Sequence, residues 1–241
     1  MCTVTFVPLN KSDFVLISNR DEAPNRNSLP PEFYEYKKQE LLYPKDIQSN
    51  GTWIGLNGNK RLICLLNGAF GLHNRKPKYR LSRGIVVKDL LVCENLKDEI
   101  EKYDFYGIEP FTIVIVEWEN GIEGYELIWD ETTAHFKKLN HEPYIWSSST
   151  LYNESMKRER RDWFNKFKST KQLNADSLFN FHHQYNLDNL EYGVIMDRGF
   201  VKTTSITRVE KNNMEITMEY LDLESNTKHK KSLSNSPATN E

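Results

Sequence analysis

Strand-like and helix-like segments occur in blocks along this chain, and their order limits the possible folds more than any other feature. Strand patterns come first, a helical block follows over residues 82–103, and strand patterns return over residues 111–139. A second helical block covers residues 152–185, and strand patterns close the chain. Because βαβ folds alternate single strands with helices, this order predicts an α+β fold with antiparallel sheets covered by helices.

Two hairpins are predicted in the first seventy residues. Thr3–Pro8 and Asp13–Ser18 are rich in Val, Ile, Thr and Phe and flank a polar turn. Thr52–Asn57 and Arg61–Asn67 flank a Gly-Asn turn whose residues tolerate positive φ. Residues 19–43, between the hairpins, have little periodicity and predict a long loop.

The later elements are predicted from the same two periodicities. Ser82 is predicted to cap a helix that runs through Leu91. The other predicted helices cover residues 96–103, 152–167 and 175–185. The later predicted strands cover residues 111–118, 125–129, 134–139, 192–196, 201–208 and 214–221.

Chain length and composition indicate a single globular domain over residues 1–224. The chain has 241 residues, of which 38% are hydrophobic and 27% charged, as in ordinary soluble domains. Residues 225–241 are polar and rich in Ser, Asn and Lys, and are predicted to form a disordered tail.

Charge and cysteine content exclude several classes of function. The formal net charge is −2, with basic and acidic residues mixed, so a nucleic-acid partner is not expected. No segment approaches the ~18 apolar residues that span a bilayer and the N-terminus lacks an apolar leader, which predicts a cytoplasmic protein. Cys2, Cys64 and Cys93 fit neither a disulfide framework nor a metal site and are predicted to be free thiols. No cofactor motif or metal-ligand cluster is recognised.

Cys2 directly follows the initiator methionine. Removal of Met1 would leave a thiol and a free α-amino group on one residue. These groups titrate at about 8.5 and about 8, so the amine can accept the thiol proton near neutral pH. This is the chemistry of an N-terminal nucleophile. The alternative is that a Met-Cys start is accidental.

Four polar residues, Asn19-Arg20-Asp21-Glu22, follow the second predicted strand. Antiparallel pairing in the hairpin returns them to the level of residue 2. Asp21 could hold the α-amino group, and Arg20 could lower the thiol pKa or bind a substrate carboxylate. The alternative is an ordinary solvated turn.

The Met1-Cys2-Thr3 start followed by Asn19–Glu22 resembles the NRDE family, also called the Transport and Golgi organisation 2 family. Asn50–Leu56 resembles that family's GGTWLG segment, and Leu65–Gly68 resembles its strand ending in Leu-Thr-Asn. The resemblance extends from residue 1 to about residue 208, and its most specific motifs lie in the first seventy residues.

That family is similar to N-terminal-nucleophile hydrolases of the choloylglycine hydrolase and penicillin V acylase type. The resemblance implies a four-layer αββα sandwich and cleavage of linear non-peptide amides without a cofactor or metal. It implies that Cys2 is the nucleophile, that Arg20 and Asp21 position it, and that Asn67 donates to the oxyanion. The candidate substrate-binding residues are Asn19, Trp53 and Ser148.

Two segments depart from the pattern of the related amidases. Residues Trp146–Ser149 stand where the family usually has Leu-Ser-Asn, so Ser148 or Asn153 is expected to replace a second asparagine. Residues Lys202–Ser205 stand where the family often has Gly-Thr-Arg-Ser, so only Lys202 or Arg208 could replace an arginine.

Other polar residues are expected to lie at the surface. His182 and His183 are adjacent on a helix and so cannot jointly bind a metal. The helix over residues 152–167 and the positions after it carry a basic face that is expected to be solvated. That face comprises Arg158, Arg160, Arg161, Lys166 and Lys168.

Three functions are therefore open. The first is an amidohydrolase or acyltransferase that uses Cys2 on a small-molecule amide or acyl substrate. The second is a non-catalytic protein that binds or traffics a hydrophobic ligand, lipid-like or haem, since the family is associated with such handling. The third is a scaffold that retains Met1 and makes no use of Cys2.

Overall fold

A computed structural model describes residues 3–234, which form two antiparallel β-sheets and four helices. Elements are numbered in chain order. Six strands lie side by side in the first sheet, in the order β10 (Tyr144–Ser147), β1 (Thr3–Pro8), β2 (Phe14–Glu22), β11 (Lys202–Asn212), β12 (Glu215–Asp222) and β13 (Thr227–Ser234).

Seven strands form the second sheet. Their order is β3 (Ser28–Tyr36), β4 (Gln39–Asp46), β5 (Ile54–Asn57), β6 (Arg61–Asn67), β7 (Phe111–Glu117), β8 (Glu123–Trp129) and β9 (Ala134–Lys138). Spatial order follows chain order throughout this sheet. It is therefore a continuous antiparallel meander, although the connection from β6 to β7 is long and runs through residues 68–110.

The helices are α1 (Arg83–Val92), α2 (Leu96–Lys102), α3 (Glu154–Thr170) and α4 (Ala175–Gln184). Each begins after a side chain that accepts a hydrogen bond from a backbone N–H of the first turn. These capping residues are Ser82, Asn95, Asn153 and Asn174. No helix within residues 3–234 is long and apolar enough to cross a membrane.

Three apolar clusters separate four layers. One cluster, which includes Leu16, Cys64 and Val114, lies between the two sheets. A second joins the outer face of the second sheet to α1 and α2, and a third joins the outer face of the first sheet to α3 and α4. The layers therefore follow the order helices, sheet, sheet, helices, which is the predicted αββα sandwich.

Both predicted hairpins are confirmed, but the predicted loop over residues 19–43 is wrong. β2 continues to Glu22, and Ser28–Tyr36 pairs with Gln39–Asp46 as β3 and β4. β3 is an edge strand with an irregular register between Leu29 and Glu32, so Pro30 and Pro31 interrupt few ladder hydrogen bonds.

The end of the chain also differs from its prediction. Thr227–Ser234 form β13, which pairs with β12 along its length, so a disordered tail beginning at residue 225 is wrong for these residues. Their charged side chains suit an edge strand, whose outer face meets solvent. Residues 235–241 lie outside the described part of the chain. Residues 192–196, predicted as a strand, form turns and bends instead.

Candidate active site

The end of β2 presents its polar residues on two opposite faces of the first sheet. Leu16 belongs to the cluster between the sheets and Ile17 to the cluster under α3 and α4. Since side chains alternate along a strand, Arg20 lies on the inter-sheet face, while Asn19 and Asp21 lie on the helix-covered face. The four residues predicted to act together are therefore divided between two environments.

Arg20 is held from several directions on the inter-sheet face. Its guanidinium donates to Asp46 Oδ2 at 2.9 Å, to the Arg26 carbonyl at 3.0 Å and to Thr204 Oγ1 at 3.2 Å. It also stacks over the indole of Trp53, with Arg20 Cζ 4.8 Å from the ring centroid. Both Arg20 and Asp46 are buried, so this ion pair is shielded from solvent. The contacts hold Arg20 in one orientation.

Asp46 joins Arg20 to a second arginine. Its Oδ2 also accepts from Arg26 Nε at 2.9 Å, and its Oδ1 accepts from the backbone N–H and hydroxyl of Ser49. Burial by itself would raise the pKa of Asp46. The Ser49 hydrogen bonds and the Arg26 charge outweigh burial and hold this pKa below its usual value. Asp46 thus stays ionised and fixes both arginines.

A small cavity of about 70 Å³ brings together three of the predicted site residues, Arg20, Trp53 and Asn67. Its other lining residues are Glu22, Arg26, Asp46, Ser49, Thr52, Leu65, Ser82, Arg83 and Gly84. The indole Nε1 of Trp53 is buried and has no hydrogen-bond partner within residues 3–234. The cavity therefore has charged walls, and one of its lining residues carries a buried donor that no described group accepts from.

Asn67 is placed by a junction between the two sheets. The Ser148 hydroxyl donates to the Asn67 carbonyl oxygen at 2.8 Å, and Ser149 donates to the Ala69 carbonyl. Gly68 has φ +82°, and a Cβ there would lie 3.2 Å from Ser149 Cβ, so the close approach requires glycine. The Ser148 hydroxyl thus positions Asn67 and also contacts Thr150 Oγ1 at 2.9 Å.

The same junction lies beside the start of β1. Thr3 pairs with Ser147 of β10 on one side and with Asn19 of β2 on the other. Ser148, the next residue after Ser147, carries the hydroxyl that binds Asn67. Asn67 is therefore brought to the level at which the described part of the chain begins. Cys2, the predicted nucleophile, lies outside the described residues.

Asp21 is buried on the helix-covered face, where two hydroxyl groups donate to its carboxyl. Tyr152 Oη donates to Oδ2 at 2.8 Å, and Thr203 Oγ1 donates to Oδ1 at 2.7 Å. Thr203 Oγ1 in turn accepts from the Met196 N–H at 3.0 Å. The segment Lys202–Ser205 thus contributes a threonine to the site. The sequence indicated that this segment matters but not which residue does.

Asn19 is fully buried and its side chain is used within the fold. Its amide donates to the carbonyl oxygens of Val194 at 2.8 Å and His182 at 3.1 Å, and its Oδ1 lies 2.7 Å from His182 Nδ1. The predicted substrate-binding role of Asn19 does not fit this position, because the residue faces α4 and not the cavity. Asn19 instead fastens α4 and the following loop to β2.

His182 is fully buried, so its predicted surface position is wrong. Its Nε2 lies 2.8 Å from Thr5 Oγ1, and its other ring nitrogen contacts Asn19. Burial, together with the nearby Arg160 charge, lowers the pKa of His182 to about 3. The imidazole is thus neutral at physiological pH. Its neighbour His183 is partly exposed.

The proposed replacements for the missing asparagine and arginine lie elsewhere. Asn153 caps α3 by accepting from the Met156 N–H at 3.0 Å. Arg208 pairs with Glu219 at 2.6 Å and with Asp176 of α4 at 3.0 Å. Lys202 lies 3.9 Å from Glu224. These contacts tie the three residues to surfaces outside the cavity.

Arg160 lies in a position that differs from its prediction. It was expected on a solvated face of α3, yet the structure buries it completely. Its guanidinium reaches Thr3 Oγ1, Ser147 Oγ at 2.9 Å, and the carbonyl oxygens of Tyr192 and Gly193 at 2.6 Å each. Nothing in the local sequence distinguishes Arg160 from the other basic residues of the helix.

Neither Cys64 nor Cys93 has the lowered thiol pKa that favours a cysteine nucleophile. Burial raises the pKa of the Cys64 thiol to about 12, and Cys64 lies within the inter-sheet core. Burial also raises the pKa of Cys93, which is half-buried and lies 3.1 Å from an Arg61 nitrogen. Both thiols are thus protonated at neutral pH. Within residues 3–234 no group of three His, Cys, Asp or Glu side chains could hold a metal ion.

The two sheets and their flanking helices define the fold of the N-terminal-nucleophile hydrolases. A Caenorhabditis elegans ortholog of N-acylethanolamine-hydrolyzing acid amidase superimposes with a TM-score of 0.59 at 11% identity, covering 86% of this chain and 92% of that chain. A variant of conjugated bile acid hydrolase from Clostridium perfringens gives a TM-score of 0.51 at 11% identity, covering 98% and 97%. Penicillin V acylase from Agrobacterium tumefaciens gives 0.51 at 9% identity, covering 97% and 91%. These likenesses establish the fold alone.

The chain belongs to the Transport and Golgi organisation 2 family, whose profile matches residues 1–233. The family resemblance drawn from the N-terminal motifs is thereby confirmed. No curated protein matches the sequence.

Proposed function

We propose that this protein is an N-terminal-nucleophile amidohydrolase or acyltransferase that uses Cys2, after removal of Met1, on a linear non-peptide amide or acyl substrate. The observation that carries the proposal is the position of the cavity. Arg20, Trp53 and Asn67 line it together. The Asn67 carbonyl accepts a hydrogen bond from Ser148, and the preceding residue, Ser147, pairs with Thr3. Cys2 is covalently bonded to Thr3, and this connection is the basis for proposing it as the nucleophile of this cavity.

The reaction follows from these groups. The free α-amine of Cys2 accepts the thiol proton, and the sulfur attacks the amide carbonyl to form a tetrahedral intermediate. The Asn67 side-chain amide stabilises the oxyanion, and the protonated α-amine then gives its proton to the departing amine, which leaves a thioester. Water, or a second amine in a transferase, attacks the thioester and restores the thiol.

The cavity limits which part of a substrate it can hold. A volume of about 70 Å³ accommodates a few non-hydrogen atoms, and its walls carry arginines and carboxylates. The scissile amide and a small polar group would fit there, whereas a long acyl chain would have to extend outside. The Arg20 guanidinium is already bound by Asp46, Arg26 and Thr204, which favours a positioning role over capture of a substrate carboxylate.

The test is the intact mass of the purified protein before and after brief treatment with iodoacetamide, followed by peptide mapping. We expect loss of Met1 and labelling of Cys2 well before Cys64 and Cys93, whose thiol pKa values are raised. The Cys2→Ala variant is the control and should lose the fast label. A panel of N-acyl amides would then reveal turnover. Retained Met1, or labelling of Cys93 before Cys2, would reject the proposal.

A second candidate is the binding of a hydrophobic ligand without turnover. It is favoured by Phe70 and Leu72, which are 56% and 82% exposed and border a cavity of about 410 Å³ just beyond Asn67. The test is lipid extraction and mass spectrometry of the purified protein, compared with a Phe70→Ser/Leu72→Ser double variant. Ligand retained equally by wild-type and Cys2→Ala protein, with no turnover of N-acyl amides, would favour this candidate over the first.

A further inference from the structure

A large cavity lies between the end of α4, the loop that follows α4 and the start of β11, and we call it the α4–β11 cavity. Its volume is about 700 Å³. Its apolar surface is formed by Leu187, Ile195, Met196 and Leu223. Cavities of this size commonly enclose a small organic molecule. The reaction proposed above makes no use of this cavity.

Two threonines join the α4–β11 cavity to the candidate active site. Thr203 and Thr204 line the cavity, and the register of β11 with β2 shifts between Thr203 and Ser205. Thr203 Oγ1 donates to Asp21 Oδ1 at 2.7 Å, and Thr204 Oγ1 donates to the Arg20 carbonyl at 3.1 Å. Such β-bulges are frequent beside functional sites, where they redirect side chains. A molecule in the cavity would therefore contact the residues that hold Arg20 and Asp21.

Two opposite charges line the α4–β11 cavity without forming an ion pair with each other. Asp197 and Lys202 are partners in an isolated antiparallel bridge, so their side chains lie on the same side of the paired chains. Asp197 Oδ1 accepts from the Gly199 N–H at 2.8 Å, and Asp197 forms no ion pair within residues 3–234. The Lys202 ammonium lies 3.9 Å from Glu224, which is too far for a hydrogen bond. An anionic and a cationic group are therefore available side by side.

We propose that the α4–β11 cavity binds a free α-amino acid with a large apolar side chain. Lys202 would bind its carboxylate and Asp197 its ammonium group, while its side chain packs against Leu187 and Ile195. An amine or an acid alone would leave one of the two protein charges without a partner, whereas the zwitterion complements both. Burial of the apolar side chain supplies the remaining favourable free energy. Binding here requires no turnover, so it does not depend on the proposed function.

The test is an NMR titration of protein that is isotope-labelled at its methionine methyl groups, with Met196→Leu used to identify the Met196 resonance. The probes are L-phenylalanine, N-acetyl-L-phenylalanine, which lacks the ammonium group, and phenethylamine, which lacks the carboxylate. We expect L-phenylalanine to shift the Met196 methyl resonance saturably, because Met196 lines the cavity. Met218 lies between the two sheets, so its resonance should stay unchanged. Removal of either charge from the probe should weaken binding about two- to fivefold.

Variants of the cavity assign each charge to its partner. Asp197→Asn should weaken the binding of L-phenylalanine but not of N-acetyl-L-phenylalanine, which already lacks the ammonium group. Lys202→Met should weaken the binding of L-phenylalanine but not of phenethylamine. Asp188→Asn is the matched control and should bind as wild type, because Asp188 is an exposed carboxylate of the same loop that does not line the cavity.

Two results with wild-type protein would overturn the proposal without any variant. Equal affinity for all three probes would show that the α4–β11 cavity recognises only apolar surface. Absence of a saturable shift of the Met196 resonance would show that the cavity does not bind an amino acid. Neither readout involves Cys2, so the result is separate from the labelling test of the proposed function.

Discussion

The hydroxyl of Tyr152 donates a 2.8 Å hydrogen bond to Asp21 Oδ2, joining the segment before α3 to the end of β2. Both side chains are buried, and Thr203 holds the other carboxyl oxygen from β11. Three segments distant in sequence thus fix one carboxyl beside the start of β1. The orientation of Asp21 therefore depends on the packing of α3 against the first sheet.

Tyr152→Phe is expected to lower the free energy of unfolding by about 1–3 kcal/mol, because a buried carboxyl oxygen loses its donor. The alkylation rate of Cys2 should also fall, since Asp21 is then held by fewer groups. Urea denaturation and timed labelling measure the two effects. Tyr192→Phe is the matched control: it removes a hydroxyl that binds Glu159 at the surface and should cost less than about 0.5 kcal/mol. Equal losses in the two variants would contradict the prediction.

Asp46→Asn is expected to destabilise the protein by about 3–5 kcal/mol, because it leaves the buried Arg20 without its counter-ion. Glu32→Gln, which breaks a pair with Lys231 between two half-exposed side chains, should cost at most about 1 kcal/mol. Thermal and urea unfolding of both variants check the difference. A cost for Asp46→Asn no larger than that for Glu32→Gln would show that the Arg20–Asp46 pair contributes little.

Leu233→Ala in β13 is expected to lower the free energy of unfolding by about 1–2 kcal/mol. Leu233 pairs with Ile216 and packs against the cluster between the sheets. Lys230→Ala on the same strand replaces an exposed side chain and should change stability by less than about 0.5 kcal/mol. Urea denaturation midpoints provide the comparison. Identical midpoints for Leu233→Ala and wild type would mean that β13 adds nothing to the core.

The predictable part of this fold is the part with short, strongly apolar strands. β1, β2, β5 and β6 are apolar runs buried along almost their whole length, so both hairpins could be foreseen. A shared site for Arg20 and Asn67 is implied only by the family resemblance. β3 and β13 could not be foreseen, because prolines and lysines are tolerated on edge strands that alternate only weakly. β3 and β13 are ordered by hydrogen bonding to their neighbouring strands, β4 and β12.

The site was predictable only on the inter-sheet side. The period of two along β2 already separates Asn19 and Asp21 from Arg20, although the motif suggests that they act together. His182 and Arg160 carry no local signal, because their burial depends on the polar groups that Thr3, Thr5 and Asn19 present beneath the helices. Hydrogen bonds from other segments satisfy these buried polar residues, and such bonds cannot be predicted from the sequence of the helix itself.

His182 should make the protein less stable in mild acid. The pKa of His182 is about 3 in the folded protein and about 6.5 in the unfolded chain. Below pH 6.5 the unfolded chain therefore binds a proton that the folded protein does not bind. The free energy of unfolding should therefore fall by up to about 1.4 kcal/mol per pH unit from pH 6 towards pH 4 through this residue. His182→Gln should be less stable at pH 8, because it disturbs the hydrogen bonds to Thr5 and Asn19, but its stability should decline less steeply with acid.

His183→Gln, at a partly exposed position of the same helix, should retain the wild-type slope. Urea denaturation at pH 8, 6, 5 and 4 measures all three slopes. Parallel slopes for wild type and His182→Gln would show that the imidazole accepts a proton inside the fold, and hence that Arg160 and burial do not control it.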